Sequence, residues 1–216
     1  MKPDFWHERW ANNEIGFHQD VVTPSLEKYW DELREPSTGT VFVPLCGKSR
    51  DLLWLADRGL KVIGVELSQT AVESFFAEHN LEVECGMPGD LRKYRCVSRP
   101  ITIYQGDFFA FSNDVFSECG VVFDRGALVA LPQIMRRAYV EKFTSNLAPG
   151  SEILLVTLEH SSEKNPPFNV QEPEIRDLYQ DEFSVQRIGE EPELFRGEMA
   201  TNAVYRLIKR SDQLQC

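Results

Sequence analysis

The sequence has no C-x-x-C pair, no dense Lys/Arg tract and no apolar run near the roughly 20 residues that a membrane-spanning helix requires. Its five cysteines, Cys46, Cys85, Cys96, Cys119 and Cys216, are odd in number and widely scattered. They read as reduced thiols, not as a disulfide or zinc framework. The four histidines, His7, His18, His79 and His160, lack metal-ligand spacing, so no metal is expected. Positive charge is scarce, and the formal charge of −11 argues against a general nucleic-acid binder. Met1–Arg9 lacks the basic-then-apolar layout of a secretory leader, so a cytoplasmic location is expected. Glycine is sparse where a dinucleotide would need it. The first apolar run leads into Leu45-Cys46-Gly47-Lys48-Ser49-Arg50-Asp51, whose single glycine fails G-x-G-x-x-G.

What is present suits one folded domain over residues 1–216, with 42% hydrophobic and 26% charged residues. A helix is expected over residues 4–12, with Trp6 and Trp10 on one face. Thr23-Pro24 reads as a second helix start with a capping hydroxyl. Leu26, Tyr29, Trp30 and Leu33 then follow at helical spacing, and Pro36–Gly39 ends the run.

Strand–helix alternation begins next. Strands are expected at 40–44, 61–66, 101–104, 120–124 and 152–158. Helices are expected at 48–58, after the cap Ser68 with Ala71, Val72, Phe75 and Phe76 on one face, and after Pro132. The last has Ile134, Met135, Ala138, Tyr139 and Phe143 on one side. Such alternation implies a parallel sheet covered on both faces. Residues 183–188 and 203–208 read as two more strands with no long helix between them, paired tightly and at least one antiparallel to the rest. The fold expected is α/β and Rossmann-like. It has a mostly parallel sheet of about seven strands, an N-terminal helical lid over residues 1–35 and a core over 40–210.

Ligands of open α/β sheets bind at the C-terminal strand ends. The 61–66 strand ends in Glu66, about 20 residues after the Leu45 turn, where a carboxylate grips both ribose hydroxyls. A solvated glutamate near a helix start is the plainer alternative. The 101–104 strand runs into Asp107-Phe108, which suits an adenine. Asp107 would accept from the exocyclic amine and Phe108 would offer its backbone or its ring; a turn aspartate before core aromatics is the other reading. The 120–124 strand runs into Asp124-Arg125, either a pair capping the next helix or, through Arg125, a group that steadies an anionic acceptor or the cofactor. Asn165-Pro166-Pro167-Phe168 looks like the motif of amino-methyltransferases, but it follows the fifth of these strands, not the fourth. It reads as part of a rigid loop over the acceptor, and N-methylation is disfavoured.

Five βα units plus a terminal strand pair is the layout of S-adenosylmethionine (SAM)-dependent methyltransferases. A nicotinamide-dependent oxidoreductase would more often continue as a second βαβαβ half. A SAM-sensing domain without catalysis is a third reading.

Trp6-x-x-x-Trp10, Gly16-Phe17-His18, Val43–Leu52, Gly64–Ser68, Gly106–Phe109 and Asp124-Arg125-x-Ala127-Leu128 together resemble the bacterial thiopurine S-methyltransferases over almost the whole chain. The resemblance implies S-adenosyl-L-methionine as cofactor, with contacts at Trp10, Leu45, Glu66, Asp107, Phe108 and Arg125. Trp10 would pack over the cofactor, Leu45 would meet its methionine end and Glu66 would hold the ribose. It implies an acceptor pocket walled by Phe17, His18, Arg125 and Arg196; Arg206 is disfavoured because it lies within a strand. Arg125 is the expected catalytic residue, favouring the thiolate of a thiopurine or other aromatic thiol. Heteroaromatic thiols ionise near neutrality, so the main task is positioning, which can supply on the order of 7–11 kcal/mol. Relatives are associated with selenium and tellurium methylation, so such species are further candidate acceptors. A monomer with a small-molecule thiol as its only partner is implied.

Overall fold

The computed structural model describes residues 2–34, 39–87, 89–162 and 165–211. Helix α1 (Pro3–Ala11) starts on a proline at its first position and carries Asp4 in the first turn and Arg9 in the last, both favourable to the helix dipole. Helix α2 (Pro24–Tyr29) also starts on proline. The Thr23 hydroxyl does not cap it: that hydroxyl and the Thr23 N–H both donate to Asp51 at 2.8 Å. A buried carboxylate with spare acceptor sites outcompetes the local cap. The α-helix ends at Tyr29 and a single 3-10 turn, Trp30–Glu32, carries the chain to Leu33. The expected stop at Pro36–Thr38 lies outside the described residues.

The strands are β1 (Thr40–Pro44), β2 (Lys61–Glu66), β3 (Val83–Gly86), β4 (Arg92–Cys96), β5 (Ile101–Gln105), β6 (Val121–Arg125), β7 (Glu152–Glu159), β8 (Phe183–Phe195) and β9 (Glu198–Lys209). They form one sheet in the order β3-β4-β5-β2-β1-β6-β7-β9-β8. The run β5-β2-β1-β6-β7 is parallel, and β3–β4 and β9–β8 add antiparallel pairs at the two edges. Every residue of β1 is buried, as expected of a strand covered on both faces.

Among the described residues nine strands replace the expected seven. The additional pair, β3 and β4, is an edge hairpin whose Glu84 and Arg95 face solvent and pair with each other. It buries too little apolar surface to announce itself as a strand. Strands β8 and β9 pair antiparallel as expected but extend well past 188 and before 203.

Helices α3 (Asp51–Asp57), α4 (Gln69–Glu78), α5 (Gln133–Thr144) and α6 (Glu172–Tyr179) complete the layers. Ser68 caps α4 by accepting from the Ala71 N–H. One face of the sheet packs against α2, α3 and α4 through Leu26, Tyr29, Leu52, Leu55, Phe75 and Phe76. The other packs against α5 and α6 through Tyr139, Val140, Phe143, Ile175 and Tyr179. The buried face of α5 is Arg136, Tyr139, Val140 and Phe143, whereas Ile134 is 91% exposed, against expectation. Arg136 reaches inward because Glu174 and the Leu131 carbonyl satisfy it, so the helix is rotated away from Ile134. Among the described residues no helix is long and apolar enough to cross a membrane.

Strand order reverses at β1, whose neighbours are β2 and β6. In such sheets the crevice lies outside the C-terminal strand ends at the reversal.

Candidate active site

A cavity of about 650 Å³ opens at that crevice. Trp10, Phe17, His18, Leu45, Glu66, Asp107, Phe108, Arg125 and Arg196 all border it. The residues expected at the site from sequence are thus brought together, from places as distant in the chain as Trp10 and Arg196.

The β1–β2 corner is the most constrained part. Leu45 has φ 45°, a left-handed conformation costly for a branched residue. Gly47 has φ 54°, and a Cβ there would lie 3.2 Å from the Trp10 ring. Only glycine lets the buried indole lie so close to this loop. The turn is locked to β2 by Cys46 N–H to the Val65 carbonyl at 3.0 Å. It is also held by Gly47 N–H to Glu66 Oε2 at 2.9 Å, while Ser68 N–H donates to Glu66 Oε1 at 2.7 Å. Glu66 is only 6% exposed, which rules out a solvated glutamate. Burial pushes its carboxyl above the ordinary range, and the N–H groups of Ser68 and Gly47 draw it back. Each oxygen has accepted one of these bonds and retains a second lone pair.

At the end of β5, Gly106 N–H donates to the Glu66 carbonyl at 2.9 Å. Asp107 is exposed and accepts from Phe109 N–H at 2.9 Å. The Phe108 ring is committed to the core against Tyr139, at 4.9 Å between centroids.

Asp124 and Arg125 do not pair with each other. Asp124 is fully buried and accepts from Leu128 N–H at 3.2 Å and Tyr139 O–H at 2.7 Å. Burial pushes its carboxyl up to about 6. Arg125, on the opposite face of β6, donates to the Phe17 carbonyl at 3.1 Å. Burial lowers its guanidinium from the ordinary value, and the charges of Asp51 and Glu193 raise it again. Phe17 meets Trp6 and Trp10 edge-on at 5.5 and 5.6 Å. His18 contacts Asp20 at 3.2 Å, and burial and Lys48 lower its pKa.

The far wall is the loop after β7. Ser162 N–H donates to His160 Nδ1, so Nε2 carries the proton and donates to the Pro167 carbonyl, both at 3.1 Å. Arg196, at the β8–β9 turn, donates to Ser162 Oγ at 3.0 Å and to the carbonyls of Asn165 and Pro166 at 3.3 Å. Pro166 and Pro167, joined by a cis peptide bond, border the cavity. Arg206 is spent on Glu152 at 2.6 and 3.0 Å, away from the cavity.

Sequence reasoning gave no site role to Gln19, Asp51, Glu193 or Asn202, which also border the cavity. Asp51 alone carried a local signal, its place in the Lys48-Ser49-x-Asp51 stretch. It joins the β1 turn to the N-terminal segment by accepting from Ser49 Oγ and Thr23. Gln19 Oε1 is buried with no partner among the described residues.

A family model described as thiopurine S-methyltransferase matches residues 1–214. The thiopurine S-methyltransferase of Pseudomonas aeruginosa (strain UCBPP-PA14) is 43% identical over 190 residues, covering 87% of this chain and 86% of that one. That of Shewanella sediminis (strain HAW-EB3) is 40% identical over 227 residues, covering 97% and 100%. Among solved structures, the Burkholderia thailandensis 1,6-didemethyltoxoflavin-N1-methyltransferase with bound S-adenosylhomocysteine superposes with a TM-score of 0.68 at 12% identity, covering 97% of this chain and 87% of that one. That likeness establishes the fold as that of SAM-dependent methyltransferases. With full-length matches on both counts, the chain belongs to the thiopurine S-methyltransferase family.

Proposed function

We propose that the protein transfers the methyl group of S-adenosylmethionine to the sulfur of thiopurines and other aromatic or heterocyclic thiols, releasing S-adenosylhomocysteine. The observation that carries this reading is that a buried carboxylate, Glu66, and a partly buried guanidinium, Arg125, border one cavity at the strand-order reversal. The donor set fits the cofactor. Glu66 has lone pairs left for a ribose diol, and Gly47 lies against the Trp10 ring with no Cβ between them.

When bound, S-adenosylmethionine supplies an electrophilic methyl group on a cationic sulfur. The chain's own residues bind, orient and exclude water. Trp10 and Phe17 close the N-terminal side, and Phe108 borders the adenine end beside Asp107. Phe17, His18 and Arg196 wall the acceptor side, with Arg196 also holding the Pro166–Pro167 loop. Arg125 is the catalytic residue. Its charge favours negative charge on the acceptor sulfur, as the thiolate of an aryl thiol or the polarised sulfur of a thione, and fixes that sulfur. No strong base is needed, since aromatic thiols ionise near neutrality. Asp124 is a poor candidate for one, because it is buried and engaged by Leu128 and Tyr139.

We extend the reading to selenium and tellurium species, soft nucleophiles that the same positioning would serve. We also read residues 1–35 as a lid on a core over 40–210, and the protein as a cytoplasmic monomer with no nucleic-acid or membrane partner. The test is a mass-spectrometric screen of thiols, selenols and tellurite with S-adenosylmethionine, beside thermal shifts with S-adenosylmethionine, S-adenosylhomocysteine and NAD. S-methyl products and stabilisation by the two sulfur nucleosides but not by NAD are expected. Binding without methylation of any acceptor would leave only a sensor.

A further inference from the structure

The β7–β9–β8 register sets a second charged group on the face of the sheet that carries Arg125. Arg125 lies beside Val156, and Leu158 follows on the same face of β7. Leu158 is opposite Asn202, and Asn202 is opposite Glu191. Glu193 comes next along that face of β8. The two glutamates have different fates. Glu191 lies outside the cavity and is spent on Ser25 Oγ at 2.9 Å and Lys28 Nζ at 3.4 Å. Glu193 borders the cavity, with Oε2 accepting from Asn202 Nδ2 at 2.8 Å. Its Oε1 has no partner among the described residues.

Arg125 borders the same cavity and uses one of its five N–H donors, on the Phe17 carbonyl. Among the described residues no ion pair within 4 Å joins it to Glu193. A cation and an anion therefore look onto one cavity at an interval, each with spare hydrogen-bonding capacity. Both groups are only partly buried, and the open hydrogen-bonding positions on each leave room for a ligand that bridges them. A plain aryl thiol offers a sulfur to Arg125 and nothing to Glu193. A heterocyclic thioamide has a ring N–H on the atom next to the carbon that bears sulfur, so it offers an acceptor and a donor side by side.

We propose that Glu193 is a specificity-determining residue: it accepts the ring N–H of the neutral thione form of a heterocyclic thioamide whose sulfur lies toward Arg125, takes that proton as the sulfur–methyl bond forms and the methyl–sulfonium bond of S-adenosylmethionine breaks, and so selects such acceptors over simple aryl thiols. The proposal rests on the S-methyl-transfer reading. Asn202 positions the carboxylate by holding its other oxygen. A thiol bearing a carboxylate beside its sulfur is disfavoured by like charge.

The test compares kcat/KM for 6-mercaptopurine and thiophenol at saturating S-adenosylmethionine in the parent, Glu193→Gln and Glu191→Gln. Glutamine keeps the shape but has one acceptor oxygen, which Asn202 claims. In Glu193→Gln the mercaptopurine-to-thiophenol ratio is expected to fall about tenfold or more. The affinity of 6-mercaptopurine for the S-adenosylhomocysteine complex, read by calorimetry, is expected to fall by a similar factor. Glu191→Gln, which removes the same charge from the same strand, keeps the parent ratio. A ratio within about twofold of the parent in Glu193→Gln, or an equal fall in Glu191→Gln, overturns the inference alone. A parent that methylates neither thiol overturns the S-methyl-transfer reading and the inference with it.

Discussion

Gly47 donates its N–H to Glu66 Oε2 at 2.9 Å, so the loop that leaves β1 is fastened to the carboxylate that ends β2. One side chain thereby shapes the turn and faces the cavity. Glu66→Gln must set an amide N–H₂ against the N–H of Gly47 or of Ser68. S-adenosylmethionine affinity is expected to fall roughly 10- to 100-fold by calorimetry, as for loss of a charge-assisted hydrogen bond. Because burial raises the Glu66 carboxyl, parent affinity weakens as pH falls and the variant's does not. Unchanged affinity, or parallel pH profiles, would remove Glu66 from the cofactor site.

Beneath that turn, a Cβ on Gly64 would lie 2.7 Å from Cys46 Sγ. Gly64→Ala is expected to destabilise the protein by about 1–3 kcal/mol, the usual range for overpacking. Cys46→Ala in that background should restore part of the loss. A double-mutant cycle in urea checks this, and additive effects would mean that the two atoms do not meet.

Asp124 binds its proton more tightly in the folded chain, at about 6 against an ordinary 3.8. Stability from this group is fully present below the ordinary value and is lost as pH rises through the folded one. Asp124→Asn removes that titration. The stability of the variant relative to the parent is expected to rise by about 3 kcal/mol between roughly pH 4 and pH 7. Urea unfolding across that range measures it, and identical pH slopes would contradict the burial argument.

The parts of this picture that were legible in the sequence are those where one physical demand dominates. Val41–Val43, Val62–Val65 and Ile153–Val156 are buried on both faces, and continuous apolar runs announce such strands. Glu66, Leu45 and Arg125 were legible because strand-end positions at fixed spacing line the crevice of any such sheet. The rest depends on tertiary contacts. The β3–β4 hairpin is held by backbone pairing and exposed charges, and Glu190–Phe195 of β8, with three glutamates and a proline, reads equally well as loop. Thr23 looked like a cap because its true partner, Asp51, is 28 residues away. Glu193 and Asn202 enter the site only once β8 and β9 fold back beside β7.

The N-terminal segment meets the site through Trp10 over Gly47 and through the Phe17 carbonyl on Arg125. Deleting residues 1–20 is expected to abolish S-adenosylmethionine binding while far-ultraviolet circular dichroism and cooperative unfolding persist. Retained affinity would count against a lid, and loss of cooperative unfolding would make the segment part of the core.

A crystal structure with S-adenosylhomocysteine bound is the most direct measurement of all. The ribose hydroxyls are expected within hydrogen-bonding distance of the Glu66 carboxylate, with the Trp10 ring closing over the nucleoside. A nucleoside found elsewhere, with Glu66 still bound only to Gly47 and Ser68, would contradict that expectation.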